Sequence, residues 1–276
     1  MSVIEGNSTI KKVQYQILKG LIEIKRICNK HNLRFYLVGG SALGAIRHKG
    51  FIPWDDDADI GMPREDYNKF LSVCETELDS DFFLQTTISD KGYYLPYAKL
   101  RVENTKYILK SSQRFNMHHG IFIDIFPLDS ISNNCLKRFR QKYVVDFFTK
   151  VRNTKIFNPN KGTLKYYLRK GLSSVFSIGL INRIINHEIR IAEKENTTSM
   201  GNLLGLYGFD KEVYLKKVFG EPYYVEFEKE YFPIPQEYEV FLNQVYGDFM
   251  ELPPKEERLS HNPVIVQIEI ENLRRE

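Results

Sequence analysis

The chain has 276 residues, 42% of them hydrophobic and 27% charged, and its formal net charge is +4. This composition is typical of a globular protein with a sizeable core, and it excludes a disordered or fibrous chain. The first twelve residues lack a basic segment followed by an apolar stretch, so we expect no signal peptide. The most apolar candidate, residues 172–185, is too short and too polar to span a bilayer.

The cysteines indicate the compartment. Cys28, Cys74 and Cys135 are widely separated and odd in number. Neither a disulfide framework nor a zinc cluster follows from this spacing, and each is expected to pack as a small hydrophobic side chain. This usage fits a reducing compartment, so we predict a cytoplasmic protein.

Positive charge is concentrated in one segment. Residues 137–190 contain 13 basic residues against Asp146 and Glu188, a local net of +11, which against +4 overall leaves −7 elsewhere. Such a segment can meet an anionic membrane face or a phosphate-rich substrate, or it can be a solvated helical face. We predict peripheral contact with the inner face of an anionic membrane, and we expect no nucleic acid partner.

The first predicted element is an amphipathic helix over residues 8–31, where apolar residues recur every three or four positions. A predicted strand over 33–38 then runs into Gly39, Gly40 and Ser41, and a short helix follows over 42–48. A strand, a glycine turn and a helix N-terminus form an anion-binding corner, because backbone N–H groups and the helix dipole face one point. These three residues are therefore predicted to hold a phosphate.

The next predicted elements alternate between strands and one helix. A strand over 58–62 is followed by a helix over 64–78, and further strands are predicted over 82–88, 95–102, 105–109 and 120–126. This order predicts an α/β fold with a mixed sheet core flanked by helices. After residue 129 the pattern favours helices and loops. We therefore predict a catalytic core over residues 1–130, with a mainly helical substrate- and acceptor-binding part over 131–276 packed on it.

The run from Asp55 to Asp59 holds four carboxylates in five positions among hydrophobic residues. In a strand, residues two apart share a face and lie about 6.5 Å apart. Two charges at that distance repel by roughly 2.5 kcal/mol at an effective dielectric near 20. A partly buried cluster must therefore take up protons or hold a cation. A solvated acidic loop is the alternative, whereas an EF-hand is excluded because its glycine and final glutamate are missing.

The glycine corner and the acidic run together suggest the geometry of a nucleotidyltransferase. Asp57 and Asp59 would bind Mg²⁺, or Mn²⁺, that bridges a phosphate held at the corner. A third carboxylate is expected on a neighbouring strand, and Asp124 supplies one between two isoleucines. A buried salt bridge is the structural alternative for Asp124, against metal ligand or general base.

Three blocks of the sequence resemble the LicD family of phosphotransferases, whose relatives include fukutin and the fukutin-related protein. The first block is GGSALGAIRH at residues 39–48 with GFIPWDDDADI at 50–60, and the second is HGIFIDIFPLD at 119–129. The third contains YGDFM at 246–250 and LPP at 252–254, and it ends at His261. The resemblance covers roughly residues 15–261, with no motif matched between 131 and 200.

The resemblance implies a nucleotidyltransferase-like enzyme that moves a phospho-alcohol, typically phosphocholine from CDP-choline, onto a sugar hydroxyl of a surface glycan. The donor would be a CDP-alcohol and the acceptor a lipid-linked precursor of the teichoic acid or lipopolysaccharide type, with CMP released. Transfer of glycerol- or ribitol-phosphate, and a nucleotidyltransferase using an NTP, remain alternatives, as does a non-catalytic glycan- or membrane-binding module. Asp57, Asp59 and Asp124 map onto the family's catalytic metal site, and Asp55 and Asp56 are further candidate ligands.

Six other side chains are candidate substrate contacts. Lys99 and Arg101, two apart in a predicted strand, would share a face and clamp phosphates. The remaining candidates are Arg47 at the end of the first short helix, Trp54 as a cation–π partner of a quaternary ammonium, and the histidines His119 and His261. Each also has an ordinary structural interpretation as a packed or surface residue.

Overall fold

A computed structural model describes residues 3–157, 163–258 and 260–268, with the side chains of the first helix described from residue 9. The helices are α1 (Val3–His31), α2 (Gly39–His48), α3 (Arg64–Glu77), α4 (Cys135–Phe139), α5 (Val145–Phe157), α6 (Leu164–Val175), α7 (Ile178–Ile189), α8 (Phe209–Glu212), α9 (Lys216–Phe219) and α10 (Tyr238–Tyr246). A π-helical turn, Arg140–Val144, joins α4 to α5. Within the described ranges, no helix combines the length and apolar composition needed to cross a lipid bilayer.

The strands are β1 (Tyr36–Leu37), β2 (Asp59–Pro63), β3 (Phe82–Gln85), β4 (Ala98–Val102), β5 (Thr105–Ile108), β6 (Phe122–Ile131), β7 (Ser199–Gly201), β8 (Val213–Leu215), β9 (Tyr223–Phe227), β10 (Glu230–Ile234) and β11 (Ile265–Ile268). The main sheet has the order β1-β2-β6-β4-β3, and β7 and β8 extend it from the end of β6. Strands β2 and β6 run parallel, whereas β1–β2, β3–β4 and β4–β6 are antiparallel. The predicted mixed sheet flanked by helices is confirmed.

Helix α1 packs against the sheet, as its apolar spacing predicts. Ile17, Leu21 and Ile24 are completely buried. Gly20 lies on the same side, and a Cβ there would come 2.6 Å from Cδ1 of Ile123 on β6. The helix therefore approaches the sheet more closely than a larger residue would allow.

The part beyond residue 131 is built from helices and from short strands that periodicity did not identify. Helices α5 and α7 share a small core around Val151, Ile181 and Ile185. The predicted boundary near residue 130 falls within β6, whose last three residues pair with β7. Residues of α9 and α10 also join the main core. The division into a core and a substrate-binding part stays a prediction.

A buried ion pair fastens the end of β6 to α3. Nε and Nη2 of Arg64 donate to the two carboxylate oxygens of Asp129, each at 2.7 Å. Asp129 is 2% exposed, so the pair is almost completely shielded from water. Both oxygens of this carboxylate are thus engaged in holding the fold.

Candidate active site

Two carboxylates and one ammonium form a row across three adjacent strands. Asp59 on β2 is in register with Asp124 on β6, and Asp124 is in register with Lys99 on β4. Residues in register point to the same face of a sheet. Lys99 Nζ accordingly forms an ion pair with Asp124 Oδ1. Asp57, Asp59 and Asp124 all line one cavity of about 440 Å³, so the structure brings the three predicted metal ligands together.

The glycine corner lies directly against the acidic run. Gly39 has φ +54°, and a Cβ on it would lie 3.2 Å from Asp59 Oδ2. A Cβ on Gly40 would lie 2.9 Å from Asp55 Oδ2. Helix α2 begins at Gly39 rather than at the predicted residue 42, because glycine adopts the positive φ that turns the chain straight into the helix.

Ser41 joins the corner to β2. Its Oγ accepts a hydrogen bond from the backbone N–H of Asp59 at 2.9 Å, and the residue is 7% exposed. The hydroxyl therefore fixes the distance between the glycine corner and the carboxylate that follows it. Its predicted contact with a phosphate stays a prediction.

The aspartates of the run affect one another's ionisation. Burial, and next the charge of Asp57, raise the pKa of Asp55 to about 8. Burial raises the pKa of Asp57 as well. The pKa of Asp59 is raised well above its ordinary value by burial and by the charges of Asp57 and Asp124. Full ionisation of the cluster is thus disfavoured unless a bound cation offsets its negative charge.

The charge and chemistry of the cluster fit a divalent ion, although its side chains also have partners within the chain. Among the residues that the structure describes, no three His, Cys, Asp or Glu side chains already surround a point as metal ligands. Lys99 supplies positive charge to Asp124, and Asp55 hydrogen-bonds Asp57. Carboxylate oxygens are the donors that Mg²⁺ and Mn²⁺ prefer. A bound metal ion would replace the ammonium of Lys99, and the proton shared by Asp55 and Asp57, as the positive charge that balances the cluster.

Asp56 is separated from the other aspartates by its partners. Tyr107 donates its hydroxyl to Oδ2 at 2.5 Å, and the backbone N–H of His261 donates to Oδ1 at 3.0 Å. Burial raises the pKa of Asp56, but hydrogen bonds from His261 and Tyr107 outweigh it and hold the pKa below its ordinary value. Both oxygens are already engaged, so the structure gives Asp56 an anchoring contact, and its predicted metal contact stays a prediction.

His261 reaches the edge of the site from the C-terminal block. Its Nδ1 lies 2.9 Å from Asp56 Oδ1, and its Nε2 lies 3.6 Å from Asp57 Oδ2. The hydrogen bond with Asp56, and next the charge of Asp57, raise the pKa of His261 to about 9 despite partial burial. The imidazolium therefore lines the cavity beside the carboxylates, where sequence reasoning expected a contact with phosphate or metal.

Lys99 and Arg101 face the same cavity, as their spacing predicted. Arg101 is 3% exposed, and its Nε donates to Gln85 Oε1 at 2.7 Å while its Nη1 donates to the carbonyl oxygen of Gly120 at 2.6 Å. Burial lowers the pKa of both cations. The hydrogen-bond partners of Arg101 are neutral and no carboxylate forms an ion pair with it among the described residues, so a substrate phosphate would offset its charge.

Arg47, Trp54 and His119 lie outside the residues that line the cavity. Each has a partner elsewhere in the chain: Arg47 Nη1 donates to the carbonyls of Phe249 and Glu251, the Arg258 guanidinium lies 4.9 Å from the Trp54 ring centroid, and His119 Nε2 lies 2.9 Å from the Phe115 carbonyl oxygen. Their predicted contacts with substrate stay predictions. Their neighbours are set by tertiary packing.

The comparisons with known proteins agree with this geometry. A family model described as "LicD/FKTN/FKRP, nucleotidyltransferase domain" matches residues 32–161, a range that includes the glycine corner, the acidic run and Asp124. Residues 32–161 are therefore similar to the nucleotidyltransferase domain of the LicD family.

Proteins similar to this chain over part or most of its length include named transferases. The lipopolysaccharide cholinephosphotransferase LicD of Haemophilus influenzae is 28% identical over 265 residues, which are 92% of this chain and 96% of that protein. The ribitol 5-phosphate transferase FKRP of Homo sapiens is 30% identical over 95 residues, 34% of this chain and 17% of that protein. An uncharacterized protein of Rickettsia typhi is 41% identical over 143 residues, 43% of each chain. Two of these relatives are thus named as transferases, one of cholinephosphate and one of ribitol 5-phosphate.

Sequence reasoning missed several residues of the site. Tyr107 and Arg152 line the cavity without any motif around them. Tyr207 also lines it, and its hydroxyl lies 3.0 Å from that of Tyr246. Tyr246 opens the third motif block, so it carried a signal that we did not assign to the site.

Proposed function

We propose that this protein transfers a phospho-alcohol, most specifically phosphocholine from CDP-choline, to a sugar hydroxyl of a cell-surface glycan precursor. The sugar oxygen bonds to the distal phosphorus, the bond between that phosphorus and the bridging oxygen breaks, and CMP leaves. The observation that carries the proposal is one cavity in which Asp57, Asp59 and Asp124 face Lys99 and Arg101. Such a cavity suits a diphosphate bound through cations.

Each wall of the cavity has a distinct part in this reaction. The glycine corner lies against the carboxylates of Asp59 and Asp55, so a phosphate held by its backbone N–H groups would adjoin the acidic run. Lys99 and Arg101 lie on β4, which is separated from β2 by β6, and from there they would offset the charge of the diphosphate. When bound, Mg²⁺ or Mn²⁺ supplies further charge neutralisation. Direct attack by the sugar hydroxyl needs no covalent nucleophile. Asp124 is the candidate acceptor of the proton that this hydroxyl loses.

The aromatic side chains of the cavity support choline as the head group of the donor. Aromatic rings line the cavity in addition to the charged groups: Tyr93, Tyr94, Tyr97, Phe122, Phe126 and Tyr207. The Phe122 ring already holds an ammonium, because Lys99 Nζ lies 3.6 Å from its centroid. Aromatic faces attract quaternary ammonium groups in the same way. The full-length similarity to a cholinephosphotransferase supports the same donor.

The test is incubation with CDP-choline, CDP-glycerol and CDP-ribitol and an acceptor glycan in the presence of Mg²⁺, with CMP release followed. We expect CMP from CDP-choline and none after chelation of the metal. Release from another CDP-alcohol alone would correct the head group. Pyrophosphate release from an NTP, without CMP release from any CDP-alcohol, would instead support a nucleotidyltransferase. Ligand binding without turnover would indicate a binding module.

A lipid-linked acceptor would bring the enzyme to the membrane. Several basic residues of segment 137–190 pair with acids, among them Lys137 with Glu195 and Arg140 with Glu188. Helix α6 differs, since no ion pair forms at its basic residues within the described ranges, while leucine and valine side chains of the same helix are exposed. The residues concerned are Lys165, Arg169, Lys170, Leu164, Leu168 and Val175. This combination supports contact with an anionic membrane face.

Charge reversal at Lys165, Arg169 and Lys170 is expected to weaken association with anionic vesicles. Each basic residue near such a surface contributes about 1 kcal/mol, so the triple variant should lose most of the binding, and salt should weaken the wild type in the same way. Sedimentation with phosphatidylglycerol vesicles measures this, with neutral phosphatidylcholine vesicles as the control. Equal partitioning of variant and wild type would remove the membrane proposal.

A further inference from the structure

One region of the cavity contains hydrogen-bond donors that lack acceptors. Nε and Nη1 of Arg152, the hydroxyl of Thr149 and the hydroxyl of Tyr93 are buried and make no hydrogen bond within the described part of the chain. All three residues line the cavity that also holds the aspartates. A buried donor without an acceptor costs on the order of 1–3 kcal/mol, and more when it is charged. Several buried, unpaired donors at one cavity indicate that a bound ligand supplies the hydrogen-bond acceptors.

Arg152 is the main element of this arrangement. It is 3% exposed, and no carboxylate pairs with it among the residues that the structure describes. The acid that lines the cavity from the same helix, Asp146, is already paired with Lys150 at 2.6 Å. Burial lowers the pKa of Arg152, and only neutral tyrosine hydroxyls lie near enough to oppose this. A buried guanidinium without a counter-ion destabilises a protein unless a ligand supplies the negative charge.

Two of the donors share a helix face, and the third comes from another segment that lines the same cavity. Thr149 and Arg152 are three residues apart on α5, so their side chains leave the same face of that helix. Tyr93 comes from the segment between β3 and β4, lines the same cavity, and lies near enough to Arg152 to affect the pKa of its guanidinium. A guanidinium with two hydroxyls matches the several oxygens of a tetrahedral anion, and arginine binds phosphate through two parallel hydrogen bonds.

We infer that Arg152, Thr149 and Tyr93 form a phosphate-binding subsite, contributed mainly by the helical part of the chain and separate from the aspartate cluster. The inference rests on the proposed function, because that reaction brings phosphate groups into this cavity. The phosphate belongs either to the diphosphate of the CDP-alcohol or to a phosphorylated acceptor. In both cases Arg152 positions a substrate and takes no part in bond making.

The first test uses inorganic phosphate as the probe, with the free enzyme in EDTA. Phosphate is expected to raise the Tm of the wild type, and Arg152→Met should need an at least about tenfold higher concentration for the same rise, as loss of charge-assisted hydrogen bonds predicts. Thr149→Val should need about threefold more, because one neutral hydrogen bond is lost. Arg183→Gln, which removes an exposed arginine from α7, is the matched control and should behave as the wild type.

Stability separates a ligand-binding role from a structural one. Since Arg152 makes no hydrogen bond or ion pair among the described residues, Arg152→Met in phosphate-free buffer should have a Tm equal to or above that of the wild type. A lower Tm, or a phosphate response equal to that of the wild type, would overturn the inference. Neither Tm measurement requires turnover. A failure to release CMP from CDP-alcohols would therefore count against the proposed function, whereas the Tm measurements would still test the subsite.

Steady-state kinetics identify the source of the phosphate. If the group belongs to the donor, Arg152→Met should raise the KM for CDP-choline about tenfold or more and leave the KM for the acceptor unchanged. If the phosphate belongs to the acceptor, Arg152→Met should raise the KM for the acceptor and leave the KM for CDP-choline unchanged. Either result supports the subsite, whereas unchanged KM values for both substrates contradict it.

Discussion

Asp59→Asn is expected to lower kcat/KM on the order of a hundredfold or more, because a ligand of the proposed metal is removed without a change in shape. Asp59 lies in register with Asp124 and against the glycine corner, so its carboxylate is the one shared by both halves of the site. Asp57→Asn, on the same face, should have a comparable effect. CMP release under saturating Mg²⁺ measures both.

The fold should survive these substitutions. Neighbouring carboxylates and burial already raise the pKa of Asp59, so loss of its charge relieves repulsion, and the Tm in EDTA should be equal or higher. Addition of Mg²⁺ should then raise the Tm of the wild type but not that of the variant. Asp81→Asn, at an exposed position, is the control and should be fully active. Near-normal turnover in both site variants would remove the metal-site assignment.

Asp129→Asn is expected to destabilise the protein by about 3–5 kcal/mol, the usual cost of leaving one partner of a buried ion pair uncompensated. Asp129 accepts both hydrogen bonds of the Arg64 guanidinium and is 2% exposed. It lies on β6 five residues after Asp124, yet its contacts fasten α3 to the sheet. Urea unfolding measures the loss.

Activity distinguishes the two aspartates of β6. At temperatures where Asp129→Asn is folded, its kcat should remain close to that of the wild type. The double variant Arg64→Met with Asp129→Leu should recover part of the stability, since no buried charge is then left alone. Unchanged stability combined with a large loss of kcat would show that Asp129 acts in catalysis.

Sequence patterns predicted the part of the site that depends on local order. Asp57 and Asp59 lie two residues apart where β2 begins, and Gly39 and Gly40 follow β1 at the start of α2, so both features follow from local backbone geometry. Asp124 was identifiable because a carboxylate among isoleucines needs a partner. A buried salt bridge was the structural alternative considered for Asp124, without a named partner. The structure contains such a pair, with Lys99.

The remaining features depend on contacts between distant residues. Periodicity did not identify β7, since a three-residue strand gives no alternating pattern and is defined by its pairing with β6. Trp54 was weighed as a choline contact, but Arg258, far along the chain, lies over its ring. Arg152 looked like one basic residue among 13, and only the packing of α5 onto the sheet places it in the cavity.

The central claim, that Asp57, Asp59 and Asp124 hold a divalent cation, is tested most directly by crystals grown with Mn²⁺ and recorded at the manganese absorption edge. The account predicts an anomalous peak about 2.0–2.2 Å from carboxylate oxygens of these three residues, with Lys99 displaced from Asp124, and no such peak in Asp59→Asn. The contrary result would be wild-type crystals in which manganese is absent from this cavity while Lys99 still pairs with Asp124.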